Sequence, residues 1–560
     1  MGKTETVDSE MTKEEQQRLT KPVREVFAGS VSSKSVLIGS CFVNEKLDEQ
    51  SDFEAAIEAT GYGPYNYLLL LAIFPGTWAH IFDTTIMSYL LPSIKCDLEL
   101  TLNQKGMLNA AIFIGMLCTT FLWGYLADVR GRRSFLLIGY FADTILNILS
   151  SMSQNFYTML CLKFLCGLMI SGTRAIKMTY LAEFHSTKYR AATLYWSSLF
   201  CTLGNVFLPV LAWAIIPQTW SVSLFNGAFV YNSWRIFVLV CSMPSFLAFV
   251  GLLYFPESPK FLMAQGKNEQ ALKIFQRMYA LNTGNPPGMY PIKFLIRDTS
   301  ETPVESSDGY RTVWEKIRQV STRVKPLFSK RYCAPFFMIT VLEFGSILSL
   351  ITIRLWMPQL FAMIETYDFD GRDPSLGSVT VCEMISVRSV TNVTVATGPN
   401  YTAVETCVVP PIPIKVYTNS VIISICTVLG IMLAGTLVNL VGKKKLLLTT
   451  YAVAAACTIA LNWASDSKLI LGIIAVYITL MDISVTTIII YMVCLMPTSL
   501  RTISVTLSST ISCLGPIIGN VLFPILLTKS CVGPFFFIAI ILMSGFVLTL
   551  FVPTPPPKLL

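Results

Sequence analysis

The sequence predicts an all-α membrane protein of twelve transmembrane helices in two pseudo-symmetric six-helix halves, with both termini in the cytosol. Three observations carry that prediction. The 560 residues are 53% hydrophobic and only 14% charged, where a soluble globular chain holds about 25% charged residues. The apolar residues gather in twelve runs near the roughly 20 residues a helix needs to cross a bilayer core. Lysine and arginine collect in alternate loops, and that bias sets orientation.

Residues 1–65 form a cytosolic N-terminal segment, polar and charge-mixed, with helix-prone stretches at 10–18 and 52–59. Its start has no apolar run, so no cleaved signal peptide is expected. The N-terminal half occupies 66–255, with spans at 66–91, 107–127, 135–153, 157–181, 192–216 and 235–255. A cytosolic central loop covers 256–332. The C-terminal half, 333–552, holds spans at 333–358, 417–440, 446–464, 469–493, 503–527 and 534–552, and residues 553–560 form a cytosolic tail.

Loops after even-numbered spans contain Arg130, Arg132, Arg133, Lys188, Arg190, Lys443, Lys444, Lys445 and Arg501, and the central loop adds thirteen more cations. The short loops opposite contain only Lys95, Lys105, Lys468 and Lys529. The richer side belongs in the cytosol. Loop 359–416 then falls outside, and it carries the two glycosylation sequons, at Asn392 and Asn400. Their modification needs an extracytosolic address, which agrees with the charge count. Cys382 and Cys407 share this loop, and they either form a disulfide in an oxidising compartment or remain two thiols. Most other cysteines sit in apolar runs as small hydrophobes. With two histidines and no CxxC spacing, neither a metal site nor a cofactor is expected. The net charge of +8 follows from the cytosolic loops and does not imply nucleic acid.

The chain repeats itself. Gly124-Tyr-Leu-Ala-Asp128-Val-Arg-Gly131-Arg132-Arg133 returns as Gly435-Thr-Leu-Val-Asn439-Leu-Val-Gly442-Lys443-Lys444, an offset of 435 − 124 = 311. The same offset carries Tyr180 to Tyr491, Arg190 to Arg501 and Gly204 to Gly515. Parallel six-helix repeats mark transporters that rock two halves about a central site.

Gly124–Arg133 resembles the signature loop of the major facilitator superfamily. Pro256-Glu-Ser-Pro-Lys260-Phe-Leu262 resembles the end-of-half motif of its sugar-porter and organic-cation branches. Asp52–Gly61, Leu355-Trp-Met-Pro358 and the sequon-bearing loop after span seven are similar to its synaptic vesicle glycoprotein 2-like branch. The resemblance covers about residues 52–556 and implies the major facilitator fold, with spans one, four, seven and ten lining a central cavity. It implies a latch at Gly124, Asp128, Gly131, Arg132 and Arg133 that holds one conformation and releases in the other. Glu183, Arg190 and Glu257 resemble the family's cytosolic charge network, and Gly442 and Arg501 are second-half counterparts. Asn439 stands where the first copy has Asp128, so the second half should contribute less to this gate. The outer loop is much shorter than the lumenal domain of the vertebrate vesicle proteins, so a toxin-receptor or vesicle-matrix role does not carry over.

An ionisable group inside a span costs about 2.5–3.5 kcal/mol on insertion scales, which marks it as functional. Asp83, Asp143, Arg174, Lys177, Glu343, Arg354 and Asp482 stand out, all but Asp143 on expected lining spans. Asp83 and Asp482 are the foremost solute or proton sites, since a buried carboxyl can exchange a proton and couple transport to a gradient. Arg174 and Lys177 lie three apart on one face and should seek an anion, either a carboxylate on another helix or the substrate. Asp83, Glu343 and Asp482 are the candidate carboxylates, and a Glu343 salt bridge is the gate-only alternative. Arg354 reads as a snorkelling interface residue, and Asp143 as bonded to Thr144, Asn147 or a neighbouring helix. Trp78 and Trp196 are lesser cavity candidates.

The expected function is alternating-access transport of a small charged organic solute, either facilitative or proton-coupled. A cation bound at Asp83 and Asp482 is favoured by the organic-cation resemblance. The alternative is a non-transporting vesicle or plasma-membrane glycoprotein. Expected partners are membrane lipid, the solute and protons, with the chain monomeric in the plasma membrane or a secretory, synaptic-type vesicle. The loops hold no nucleophile elbow, P-loop or metal cluster, so an enzyme is not expected.

Overall fold

The structure, a computed structural model, describes residues 50–224, 229–296, 325–365 and 412–553. Asn392, Asn400, Cys382 and Cys407 lie outside these residues. Spans one to six are Pro64–Leu90, Leu102–Arg130, Arg132–Ser151, Phe156–Glu183, Thr187–Ile215 and Ser233–Cys241 continued by Met243–Leu253. Spans seven to twelve are Cys333–Glu365, Ile414–Val441, Lys443–Ala460, Ser467–Leu495, Thr498–Ser512 continued by Leu514–Lys529, and Gly533–Phe551. Among the described residues, eleven helices are long and apolar enough to cross a membrane, and the bent helix of span two makes twelve.

Several helices begin a turn earlier than the apolar runs suggest, because their first turns are polar. Span two starts at Leu102 rather than 107, behind a capping box in which Thr101 and Gln104 bond each other's backbone N–H groups. These bonds satisfy donors that a helix start leaves open.

The repeat extends to the helix ends. Spans three, four and five begin at Arg132, Phe156 and Thr187, and spans nine, ten and eleven at Lys443, Ser467 and Thr498, each 311 residues later. Gly131 and Gly442 break the chain between spans two and three and between eight and nine at φ 102° and 87°, a region other residues enter only with strain. Arg133 donates to the Leu253 carbonyl at 3.0 Å, and Lys444 to those of Leu550 and Val552 at 2.8 Å. Each half thus places a cation at the C-terminus of its last span, where the helix dipole favours it. Tyr180 and Tyr491 likewise donate to the carbonyls of Pro256 and Pro553, at 2.6 and 3.0 Å.

The central loop carries structure of its own. A helix at Asn268–Thr283 buries Ala271, Phe275 and Met278, and Phe275 meets Phe53 of the short helix Phe53–Ala59 with ring centroids 6.2 Å apart. Tyr290 pins the same short helix by donating to the Ala56 carbonyl at 2.6 Å. The loop between spans five and six holds a hairpin the sequence reading does not anticipate, Ser221–Leu224 antiparallel to Phe229–Asn232. Cys96 and Cys531, in the loops after span one and before span twelve, are disulfide-bonded, and the ten other described cysteines are free.

Contacts joining the two halves gather on the side opposite the 128–133 loop. There Lys105 Nζ donates to Gln359 Oε1 at 2.9 Å. Gly106 lies so close to span eleven that a Cβ would stand 2.4 Å from the Asn520 carbonyl oxygen. Tyr417 of span eight is buried in a cluster with Leu90, Leu91 and Ile94 of the first half.

Candidate functional site

A small cavity of about 20 Å³ lies between the halves. Thr85 and Tyr89 of span one, Asn205 of span five, Arg354 of span seven, Ser424 of span eight and Ile478 of span ten contribute to its wall. Arg354 forms an ion pair with Asp482, and both side chains keep 18% exposure. Asp482 and Ile478 are four apart and share the cavity face of span ten. The structure therefore corrects the reading of Arg354 as an interface residue. The helix of span seven runs on to Glu365, well beyond the predicted end at 358, so Arg354 lies a full three turns inside it.

Asp83 takes a different place from the one expected. Thr85 and Tyr89 face the cavity, and two residues along a helix turn the side chain about 200°. Asp83 thus points away from the cavity, among spans three and four. Its Oδ1 accepts from Asn147 Nδ2 at 2.8 Å. The same amide nitrogen lies 3.2 Å from Asp143 Oδ1, and Asn147 Oδ1 accepts from Lys163 Nζ at 2.8 Å. Ser245 of span six donates to Asp143 Oδ2. All five residues are buried, and Asp83 Oδ2 has no hydrogen-bond partner among the described residues. Two carboxyls and one ammonium share a dry site, which can balance its charge by holding one proton between the acids.

Glu343, also buried, accepts from Ser508 Oγ and, at 2.9 Å, from Ser509 Oγ of span eleven. The expectation that Arg174 and Lys177 present one face is only partly met: Arg174 is exposed and Lys177 is 2% exposed.

Several contacts of the residues expected to form the gate lie within the first half. Arg132 bridges Asp128 at 3.4 Å and Glu183 at 3.3 Å, with its guanidinium over Phe261. Glu257 accepts from the Arg133 backbone N–H at 3.0 Å. Arg190 pairs with Glu54 at 2.8 Å rather than with Glu183. Asp128 keeps 73% exposure. A Cβ on Gly124 would meet nothing within 4 Å among the described residues. Gly442 repeats the positive φ of Gly131, the backbone of Arg501 accepts from Ser504 Oγ at 2.9 Å, and the side chain of Asn439 is outside the described set. Trp78 stacks on Phe200 at 4.9 Å and bonds its carbonyl, holding spans one and five together. Trp196 is exposed.

Sequence reasoning misses Lys163 and His80. Both lie within predicted spans, and the cost argument that selected the seven charges applies to Lys163 without change. Asn147, which links both acids to Lys163, is uncharged and gives no such signal.

The family model described as sugar (and other) transporter matches residues 67–366 and 412–558. Synaptic vesicle glycoprotein 2A of Homo sapiens is 29% identical over 341 residues, 59% of this chain and 46% of that protein. Synaptic vesicle glycoprotein 2C of Mus musculus is 27% identical over 338 residues, 58% and 46% of the two chains. The chain thus spans about half the length of the curated relatives it matches. The inward-open conformation of the xylose transporter XylE from E. coli superposes with a TM-score of 0.61 at 14% identity, over 88% of this chain and 98% of that one.

Proposed function

Because the chain belongs to the sugar (and other) transporter family, we propose that it moves a small charged organic solute across its membrane by alternating access. The observation that carries this reading is the small cavity between the halves, lined by Thr85, Tyr89, Asn205, Ser424 and Arg354, whose guanidinium pairs with Asp482. A pair that can exchange partners between states gives a solute the differential interaction that a two-state carrier needs. The buried Asp83–Asp143 pair is the proton site of this proposal. Asn147 and Lys163 position it, and it reports to the cavity through span one, whose opposite face carries Thr85 and Tyr89.

The excess of Lys and Arg in the loops on the 128–133 side supports a cytosolic address for that side and for both termini. The disulfide-bonded Cys96 and Cys531 support an oxidising environment opposite. In that orientation the close packing at Gly106 lies on the extracytosolic side, so this reading takes the conformation as inward-facing. The vesicle glycoprotein relatives favour a vesicle membrane over the plasma membrane.

The test is reconstitution. Purified protein is screened by thermal shift against sugars, organic cations, organic anions and amino acids, because a ligand that prefers the folded state raises apparent stability. A compound that stabilises is then followed into proteoliposomes. Stabilisation lost in Asp482→Asn, with uptake lost and membrane insertion kept, is the expected result. Silence across the panel with no uptake sinks the carrier reading and favours the non-transporting glycoprotein.

A further inference from the structure

Spans two and four are packed on each other through two glycines. A Cβ on Gly115 would run into the Phe164 carbonyl, and one on Gly167 into that of Ile112. Nearer the start of span two, Gly106 approaches span eleven in the same way. Between these close approaches the small side chains of Ala110 and Ala111, both buried, leave a hollow of about 470 Å³. It is far larger than the cavity between the halves. Met107 and Ile114 of span two form one rim, Tyr157 and Cys161 of span four the other, and Val521 of span eleven closes the third side. All five rim residues are exposed, and apart from the Tyr157 phenol the lining is apolar.

Met107 and Ile114 are seven residues apart, about 10 Å along a helix. Tyr157 and Phe164 give the wall on span four the same length. The hollow is therefore drawn out along the spans, starting within two turns of the helix ends at Leu102 and Phe156. That depth falls in one leaflet of a hydrocarbon core about 30 Å thick, where acyl chains rather than water meet the protein. Tyr157, in the first turn of span four, stands where aromatic side chains meet headgroups.

We infer that this groove binds an acyl chain of a membrane phospholipid, its headgroup level with Tyr157, and that the bound chain favours the conformation closed at Gly106. Two walls belong to the first half and the third to the second half. Parting spans two and eleven carries Val521 away and leaves the chain only two walls. A ligand that meets more surface in one state shifts the equilibrium toward that state. The state preference rests on alternating access, and the binding site does not.

The test uses full-length protein in phosphatidylcholine vesicles that include a phosphatidylcholine with a diazirine on one acyl chain. After illumination, adducts are mapped by mass spectrometry. Met107 and Ile114 should each carry at least threefold more adduct than Met543 and Ile540 of span twelve, the same residue types at similar depth and no less exposed. Cys161→Trp, at an exposed position, should fill the groove and lower its adducts at least threefold without changing those on span twelve. Val521→Phe, on the third side, serves if that variant misfolds. Gly106→Ala should lower the groove adducts at least threefold as well. No excess at Met107 and Ile114, or an excess that survives the filled groove, overturns the site. Adducts displaced by cholesterol but not by unlabelled phosphatidylcholine assign the groove to a sterol and overturn the acyl chain. Adducts unchanged in Gly106→Ala overturn the state preference. These outcomes leave solute uptake untouched, and it is absence of uptake that sinks the carrier reading.

Discussion

Gly106 is the most direct handle on alternating access. It lies near the start of span two, where a Cβ would stand 2.4 Å from the Asn520 carbonyl oxygen and 2.8 Å from Pro524 Cγ. Ordinary contact begins near 3.4 Å, so Gly106→Ala requires spans two and eleven to part by about 1 Å. Overpacking of this kind costs about 1–3 kcal/mol. Because the contact joins the two halves, the cost falls on the conformation closed at this face and is relieved when the face opens. At about 2 kcal/mol the equilibrium shifts roughly 30-fold, since 1.4 kcal/mol is tenfold. A cysteine placed at Ser424, on the cavity wall, reports the opening when an impermeant maleimide is added from the extracytosolic side. Gly106→Ala should raise its labelling rate by about that factor, while Gly124→Ala, which meets nothing within 4 Å among the described residues, should not. An unchanged rate in folded Gly106→Ala, or an equal rise in Gly124→Ala, would refute the reasoning.

Three further outcomes are expected. Arg354→Gln or Asp482→Asn leaves a charged partner unmatched, which should destabilise by about 1.5–3 kcal/mol and abolish solute-dependent thermal shifts; the double exchange Arg354→Asp with Asp482→Arg should recover stability. Asp83→Asn removes the shared proton and should eliminate uptake driven by a pH gradient, measured in proteoliposomes with acidic and neutral exteriors. The loop residue His185 is held at a pKa of about 4 by burial, with Arg190 adding to the effect against a hydrogen bond to the Leu181 carbonyl. The unfolded chain therefore binds a proton below pH 6.5 while the folded one does not until about 4. Stability should fall as pH drops through that window, by on the order of 3 kcal/mol in all, and His185→Gln should flatten the curve of melting temperature against pH.

The fold was legible because its signals are long and redundant. Apolar runs, alternating loop charge and the 311-residue offset each cover the whole chain, and the repeated glycines at 131 and 442 even mark the same backbone break. The site was legible only by helix. Asp83 and Asp482 both lie on expected lining spans, yet Asp482 faces the cavity and Asp83 does not. Nothing in a span surrounded by apolar residues on every side fixes its rotation, so facing cannot be read from a hydrophobic stripe. Arg354 failed for a related reason: depth was counted from a span end at 358, while the helix continues to Glu365. Lys163 and Asn147 acquire meaning only from one another.

The same repeat gives a reason to treat the buried network as function rather than scaffold. The offset of 311 that preserves Gly131, Tyr140, Tyr180 and Gly204 as Gly442, Tyr451, Tyr491 and Gly515 also pairs Asp143 with Ala454, Asn147 with Thr458 and Lys163 with Ile474. Ala454, Thr458 and Ile474 are buried like their counterparts. The second half thus builds the same helix packing without the charges, so the packing does not require them. Buried ionic groups replaced by well-packed apolar residues are often neutral or stabilising by about 1–4 kcal/mol. Transferring the second-half solution to the first, Asp143→Ala with Asn147→Thr and Lys163→Ile, and adding Asp83→Leu to remove the remaining charge, should therefore give a protein that melts no lower than the parent by thermal shift. It should also lose proton-driven uptake. A variant that unfolds would return the network to a structural role. One that folds and still transports with the parent's pH dependence would remove the proton from Asp83 altogether.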